Sequence, residues 1–137
     1  MAPAWQSLVD GLPVLIIDLA VTLALLTAGI AAYMSVAPYR ELALVREGNV
    51  AAAIILVAQT FALAIPLAAM LAHSVSIPDI ILWGIVALLL QFVAVGAVRL
   101  AVPGLPTLIQ HGKVAPALVA AGALIVTGLL NAAALSD

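Results

Sequence analysis

Four long runs of apolar residues alternate with short polar segments along the chain. The runs have 21 to 23 residues each and are Leu12–Met34, Val50–Ala72, Ile80–Leu100 and Val114–Leu135. A helix of that length rises roughly 30 Å, which is the thickness of the hydrocarbon core of a bilayer. Because a backbone in lipid must satisfy its own hydrogen bonds, the pattern predicts four transmembrane helices.

An internal repeat adds to this pattern. Gly48 and Gly112 lie 64 residues apart in the first and third polar segments, and each is followed by one residue and then Val-Ala. The spacing predicts an all-α, polytopic membrane protein made of two tandem helical hairpins, residues 12–73 and 77–137. Since each hairpin has two helices, both enter the membrane from the same side, and the repeat is parallel.

Composition restricts the class of protein. Apolar residues make up 67% of the chain and charged residues 7%, whereas soluble domains have about 45–50% and about 25%. A soluble fold would therefore expose large apolar patches. Four basic residues are too few for a nucleic-acid surface, and the absence of cysteine excludes disulfides and thiol chemistry. The first apolar run follows no basic residue, so we interpret it as a retained helix and not as a signal peptide.

The basic residues predict the orientation. Arg40 and Arg46 lie in the first polar segment, and Arg99 and Lys113 flank the third, whereas the second segment and both tails have none. Positively charged loops remain in the cytoplasm, so both termini are predicted on the non-cytoplasmic side.

Several stretches resemble one family of bacterial inner-membrane proteins, DUF350 (UPF0719). The resemblance is carried by segments on both hairpins, namely Glu47–Ile54, Ile65–Leu67, Trp83-Gly84, Gln91 and Gly128–Ala133. It implies a bacterial inner membrane and a two-copy, four-helix arrangement, but no particular activity. Related genes often neighbour those of membrane-stress proteins, which implies partners of that kind.

Asp18 is the first candidate for chemistry, because an ionisable side chain within a membrane helix usually faces protein or water. Counting from Leu12 places it roughly 9 Å below the outer boundary, with Thr22 one turn further. A proton or cation site is one interpretation. The other is a protonated carboxyl, or an Asp18 that reaches the interface from a helix that begins near residue 16.

Other polar residues inside the apolar runs extend this hypothesis. Thr127 and Asn131 lie one turn apart near the outer end of the fourth run, and Pro66 of the second run frees the Ala62 carbonyl at a similar depth. These groups and Asp18 could form one small cation or proton site. Gln59 and Gln91 lie near mid-depth and are expected either to hold helices together or to line a pathway.

The turn formed by Gly48 and Asn49, with its counterpart at Gly112, begins helices on the predicted cytoplasmic side. Asn49 is a favoured N-cap, whereas Lys113 at the equivalent position cannot cap. Helix capping is one interpretation of the turn, and partner docking or gating is the other. No motif for a metal, a cofactor or catalysis is found, so an enzyme is not expected.

Three functions follow from these features. The first is an oligomeric membrane component linked to envelope integrity or membrane stress. The resemblance implies this link, and stripes of small residues on the first and fourth runs favour homo-oligomers in the lipid bilayer. The second is a small ion channel or a proton- or cation-coupled transporter that uses Asp18. The third, a lipid-modifying enzyme, has no residues in its favour.

Overall fold

The computed structural model describes residues 2–37, 39–73 and 76–136, and these residues fold into helices joined by short turns. The helices are α1 (Ala2–Val36), α2 (Glu41–Arg46), α3 (Val50–His73), α4 (Ile77–Ala101), α5 (Leu105–Gln110) and α6 (Val114–Leu135). Four of them, α1, α3, α4 and α6, are long and apolar enough to cross a membrane. The predicted all-α, four-span fold class is therefore confirmed.

The first helix begins ten residues earlier than the apolar run that predicts it. Pro3 stands in its first turn, where a proline lacks no hydrogen bond that the helix would otherwise make. Gln6 then donates to the Asp10 carboxylate over 3.0 Å, one turn further along. These polar residues hid the start of α1 from a search based on hydropathy, although the helix continues through them.

Two short helices that the sequence did not predict occupy the first and third polar segments. α2 packs against α3, and α5 packs against α3 and α6. Leu105 and Ile109 of α5 are buried, and Leu44 and Val45 of α2 pack against the same core. Each segment thus forms one and a half turns of helix because it has apolar side chains to bury. We call this side of the bundle the short-helix end and the opposite side the termini end.

α3 is the central helix and makes its most extensive contact with α6. Small residues line this contact and let the two backbones approach closely; those that are buried are Ala51, Ala52, Ala58 and Ala62 on α3, and Ala117, Ala120, Ala121, Gly128 and Ala132 on α6. Within this contact, a β-carbon added to Gly128 would lie 2.8 Å from the Ala62 carbonyl oxygen. Only glycine fits there without a shift of the backbone.

α1 and α4 run side by side in the same direction, and their contacts fix their relative height. Gly84 packs against Leu25, and Leu88 packs against Gly29, so residues 59 positions apart (84 − 25 and 88 − 29) are level. Ile77, the first residue of α4, is therefore level with Asp18. The residues of α1 before Asp18 extend beyond the termini end by roughly 24 Å, at about 1.5 Å per residue.

Candidate functional site

Asp18 lies at the termini end of the bundle and not in its interior. It is half-buried, whereas every residue from Pro3 to Ile17 is exposed. The Thr22 hydroxyl donates to the backbone carbonyl of Asp18 over 2.8 Å and not to its carboxylate. The structure thus places Asp18 level with the first residue of α4, at the termini end of the bundle.

The other members of the predicted outer cluster bond elsewhere. Asn131 donates its amide to the Ala87 carbonyl of α4 over 3.1 Å. Thr127 donates to the Leu124 carbonyl of its own helix over 2.8 Å. Ala87 lies ten residues along α4 from the level of Asp18, which is roughly 15 Å along the axis. The structure therefore does not bring Asn131 together with Asp18.

Pro66 is buried inside α3, where it leaves the Ala62 carbonyl without its helical partner. That carbonyl faces Gly128 of α6, within the contact of the two helices. A β-carbon at position 128 would lie 2.8 Å from this oxygen, so the backbone of α3 packs directly against the glycine. Pro66 thus contributes to the contact between α3 and α6 and does not face the same place as Asp18.

Gln59 and Gln91 are both 1% exposed. Gly84 packs against Leu67 across the antiparallel pair of α3 and α4, and the same register places Gln91 level with Gln59. Gln91 donates to the Leu124 carbonyl over 3.4 Å. Its Oε1 and both amide atoms of Gln59 find no hydrogen-bond partner among the described residues. The layer is polar, buried and incompletely bonded.

The turn at Gly48 and Asn49 caps one helix and contacts a second turn. Asn49 accepts a hydrogen bond from the Ala52 backbone N–H over 3.0 Å, and its amide donates to the Ile109 carbonyl of α5 over 2.8 Å. Gly48 and Gly112 have φ values of +86° and +73°, in the left-handed region that favours glycine. Asn49 therefore joins the turns of both hairpins at the short-helix end.

A buried carboxyl group at the same end was missed by the sequence interpretation, which treated Glu41 as part of a loop. Glu41 is 2% exposed, and its Oε1 accepts from the Tyr33 hydroxyl over 2.7 Å. The Tyr39 hydroxyl donates to the same oxygen over 3.4 Å, whereas Oε2 has no partner among the described residues. In the sequence, Tyr39 and Glu41 lie two residues apart and close to an apolar run, and this pairing could have indicated a buried carboxyl group.

The surroundings of Glu41 have opposing effects on the pKa of its carboxyl group. Burial raises the pKa of the Glu41 carboxyl, while the hydroxyls of Tyr33 and Tyr39 and the charge of Arg99 act in the opposite direction. Burial also raises the pKa of Tyr39. Tyr33, Tyr39 and Arg99 line a cavity of about 20 Å³, which is large enough for one water molecule.

Comparison with known proteins places this architecture in a family. A sequence profile described as Domain of Unknown Function (DUF350) matches residues 7–135. This chain belongs to the DUF350 family. The chain is also similar to the UPF0719 inner membrane protein YjfL of Escherichia coli, from strain K12 and from O157:H7. Each is 31% identical over 104 residues, which cover 76% of this chain and 79% of the relative. No solved structure matches.

The DUF350 match covers α1 from residue 7 onward, the other three long helices, the Gln59–Gln91 layer and both short-helix turns. With its four apolar helices and its inner-membrane relatives, the chain is an integral, multi-pass inner-membrane protein. Within residues 2–37, 39–73 and 76–136, no group of three His, Asp or Glu side chains could hold a metal ion.

Proposed function

We propose that this DUF350 protein is a homo-oligomeric component of the inner membrane that supports envelope integrity through partner proteins, and not through catalysis. The observation that carries the proposal is the exposed, projecting part of α1. Eight large apolar side chains are exposed there, namely Trp5, Leu8, Val9, Leu12, Val14, Leu15, Ile16 and Ile17. Over an apolar stretch of 18 residues, 11% of α1 is buried, against 50% of α3, so α1 has most of its surface available to a partner.

The spacing of these side chains supports a second copy of the chain as that partner. Trp5, Leu8, Leu12, Leu15 and Leu19 follow one another at intervals of three and four residues. This heptad-like spacing is the pattern that two helices use to pack along a shared seam. Gln6 and Asp10, which bond to each other, lie away from the seam.

The energy of burial favours such an assembly. Each large apolar side chain that leaves water contributes about 1.5–3 kcal/mol. The bilayer could cover part of the projecting segment if α1 tilted or the bilayer thickened locally, but each adjustment has its own cost. A seam between copies covers four of these side chains, Trp5, Leu8, Leu12 and Leu15, without changing the height of the other three spans.

We further propose that both termini lie outside the cytoplasm. All the basic residues lie at the short-helix end, where Arg40 and Arg46 flank α2, Arg99 stands in the last turn of α4 and Lys113 precedes α6. This arrangement supports the orientation through the positive-inside rule. The projecting segment would then lie on the outer side. Labelling of single cysteines in intact cells tests it, because the chain has none of its own. A cysteine at Gln6 should react with an impermeant reagent, and a cysteine at His111 should not.

Cysteine cross-linking in membranes tests the assembly. Leu12→Cys places a thiol on the seam, and Asp10→Cys places one on the opposite face of the same turn. We expect an oxidant to produce disulfide-linked dimers of Leu12→Cys and few of Asp10→Cys. Equal cross-linking of both variants would indicate random collision, and no cross-linking of either would exclude the seam.

A cellular assay tests the role in the envelope. Cells without the protein should leak a periplasmic enzyme or become sensitive to detergent, and the wild-type gene should restore them. A Leu8→Gln/Leu12→Gln variant should fail to restore them although it reaches the membrane. Full restoration by this variant would mean that the role in the envelope does not depend on the seam.

A further inference from the structure

A groove of about 740 Å³ lies at the short-helix end, between the last turns of α1 and the short helix α2. Its basic side chains are Arg40 and Arg46, which are both exposed. Its apolar wall consists of Ala31 and Met34 from α1 and of Leu42 and Ala43 from α2. The groove therefore combines positive charge with an apolar surface at the end of a membrane span.

The acidic residues near the groove do not cancel this charge. Glu41 is the acidic residue in its lining, but its side chain is 2% exposed and its Oε1 accepts from Tyr33. Burial also raises the pKa of Glu41, which favours the neutral form. Glu47 follows Arg46 in sequence but is not part of the lining. The surface that a ligand meets is positive.

The equivalent turn in the second hairpin provides a comparison. α5 has the same length as α2 and begins 64 residues later. At that offset Gly104 replaces Arg40 and Gln110 replaces Arg46. Gln110 takes the place of Arg46 in a helix of the same length, so the helix does not require that arginine. At the other position the backbones differ, since Arg40 has a φ of −86° and Gly104 a φ of +73°. The positive charge of the two arginines is specific to the first hairpin.

We propose that this groove binds the headgroup of an anionic glycerophospholipid, such as phosphatidylglycerol or cardiolipin. Arginine guanidinium groups donate bidentate hydrogen bonds to phosphate oxygens. The apolar wall lies against the first part of an acyl chain, which distinguishes a lipid from free phosphate. Basic pockets at the ends of membrane helices recognise such lipids in this way.

Native mass spectrometry of the purified protein tests the proposal. With equal amounts of phosphatidylglycerol and phosphatidylcholine, the wild-type protein should retain phosphatidylglycerol preferentially. Each arginine contributes about fivefold in affinity, so Arg46→Gln should weaken retention about fivefold and Arg40→Gln/Arg46→Gln about 25-fold. Both side chains are exposed, so neither variant removes a core contact.

Lys113→Gln is the matched control, because it removes one positive charge at the same end but outside the groove. Retention should be unchanged in this variant. An equal loss in Lys113→Gln and Arg46→Gln would indicate general surface charge and would overturn the proposal. Equal retention of phosphatidylcholine by the wild-type protein would overturn it as well.

Competition with inorganic phosphate separates the lipid from its phosphate group alone. Millimolar phosphate should leave most phosphatidylglycerol bound, because free phosphate makes no contact with the apolar wall. Complete displacement would identify a phosphate site and contradict the lipid assignment. Lipid binding can be measured on monomers, so this result is independent of cross-linking through α1.

Discussion

The turn between α1 and α3 and the turn between α4 and α6 contain short helices of equal length that begin 64 residues apart. Before these helices the backbones differ, since Arg40 has a φ of −86° and Gly104 a φ of +73°, and after them the backbones agree. Each contains a six-residue helix and a glycine with positive φ. The backbone N–H of Asn49 donates to the Leu44 carbonyl over 2.9 Å, and that of Lys113 donates to the Leu108 carbonyl over 3.0 Å. The two turns therefore close in the same way.

The side chains of the two turns differ much more. The first turn contains a buried Glu41, two exposed arginines and the capping Asn49. The equivalent positions of the second turn are Leu105, Gly104, Gln110 and Lys113. The second turn thus forms its short helix and its closing hydrogen bond with two glycines of positive φ, Gly104 and Gly112, and without the buried carboxyl group, the arginines and the cap of the first.

The largest change in the free energy of unfolding is expected where α3 of the first hairpin contacts α6 of the second. The 64-residue offset pairs Gly128 with Ala64, but only position 128 meets a backbone within 3 Å of an added β-carbon. Gly128→Ala should lower the free energy of unfolding by up to about 3 kcal/mol, because the Ala62 backbone has to move. Unfolding by sodium dodecyl sulfate in mixed micelles, followed by circular dichroism, measures the change.

Gly122→Ala is the control on the same helix, since a β-carbon there meets no atom within 4 Å. It should be neutral or stabilise α6 by up to about 1 kcal/mol through helix propensity. If both variants had the same stability, the close approach of α3 and α6 would not be a feature of the protein in the membrane.

The buried amide of Gln59 comes next, because the equivalent residue in the second hairpin is Ala123. Gln59→Leu should raise the free energy of unfolding by about 2 kcal/mol, since it removes two buried polar atoms without partners. Gln91→Leu should raise the free energy of unfolding by less, because Gln91 already donates to the Leu124 carbonyl. A loss of stability in Gln59→Leu would mean that the amide has a partner, such as a bound water molecule.

Much of the fold was predictable from the sequence, because lipid leaves few alternatives to a helix for an apolar run of bilayer length. The start of α1 was not, since Gln6 and Asp10 lower the hydropathy without interrupting the helix. The burial of Glu41 was not predictable either, because it depends on a Tyr33 hydroxyl from another helix. The height of Asp18 relative to α4 was not predictable by counting from Leu12, since only contacts between helices fix their relative height.

Removal of the Asn49 cap tests whether the first turn depends on a side chain that the second turn lacks. Asn49→Ala loses the bond to the Ala52 N–H and the bond to the Ile109 carbonyl, and should lower the free energy of unfolding by about 1 kcal/mol. Lys113→Ala at the equivalent position should change it by less than about 0.5 kcal/mol, because Lys113 makes no side-chain cap. Equal losses would show that the second turn depends on its side chain as much as the first.

The smallest expected effect is a dependence of stability on pH that the first turn has and the second lacks. Burial raises the pKa of Glu41, although Tyr33, Tyr39 and Arg99 offset part of the rise. The folded protein then holds this proton more tightly than the unfolded chain, so stability should fall as pH rises from about 4.5 through the raised pKa. Thermal unfolding in detergent across this range measures the fall. Glu41→Gln should remove it, and the exposed Glu47→Gln should retain it. A wild-type profile identical to that of Glu41→Gln would mean that Glu41 titrates as if it were in water, and the chemistry of the first turn would then lie in its arginines alone.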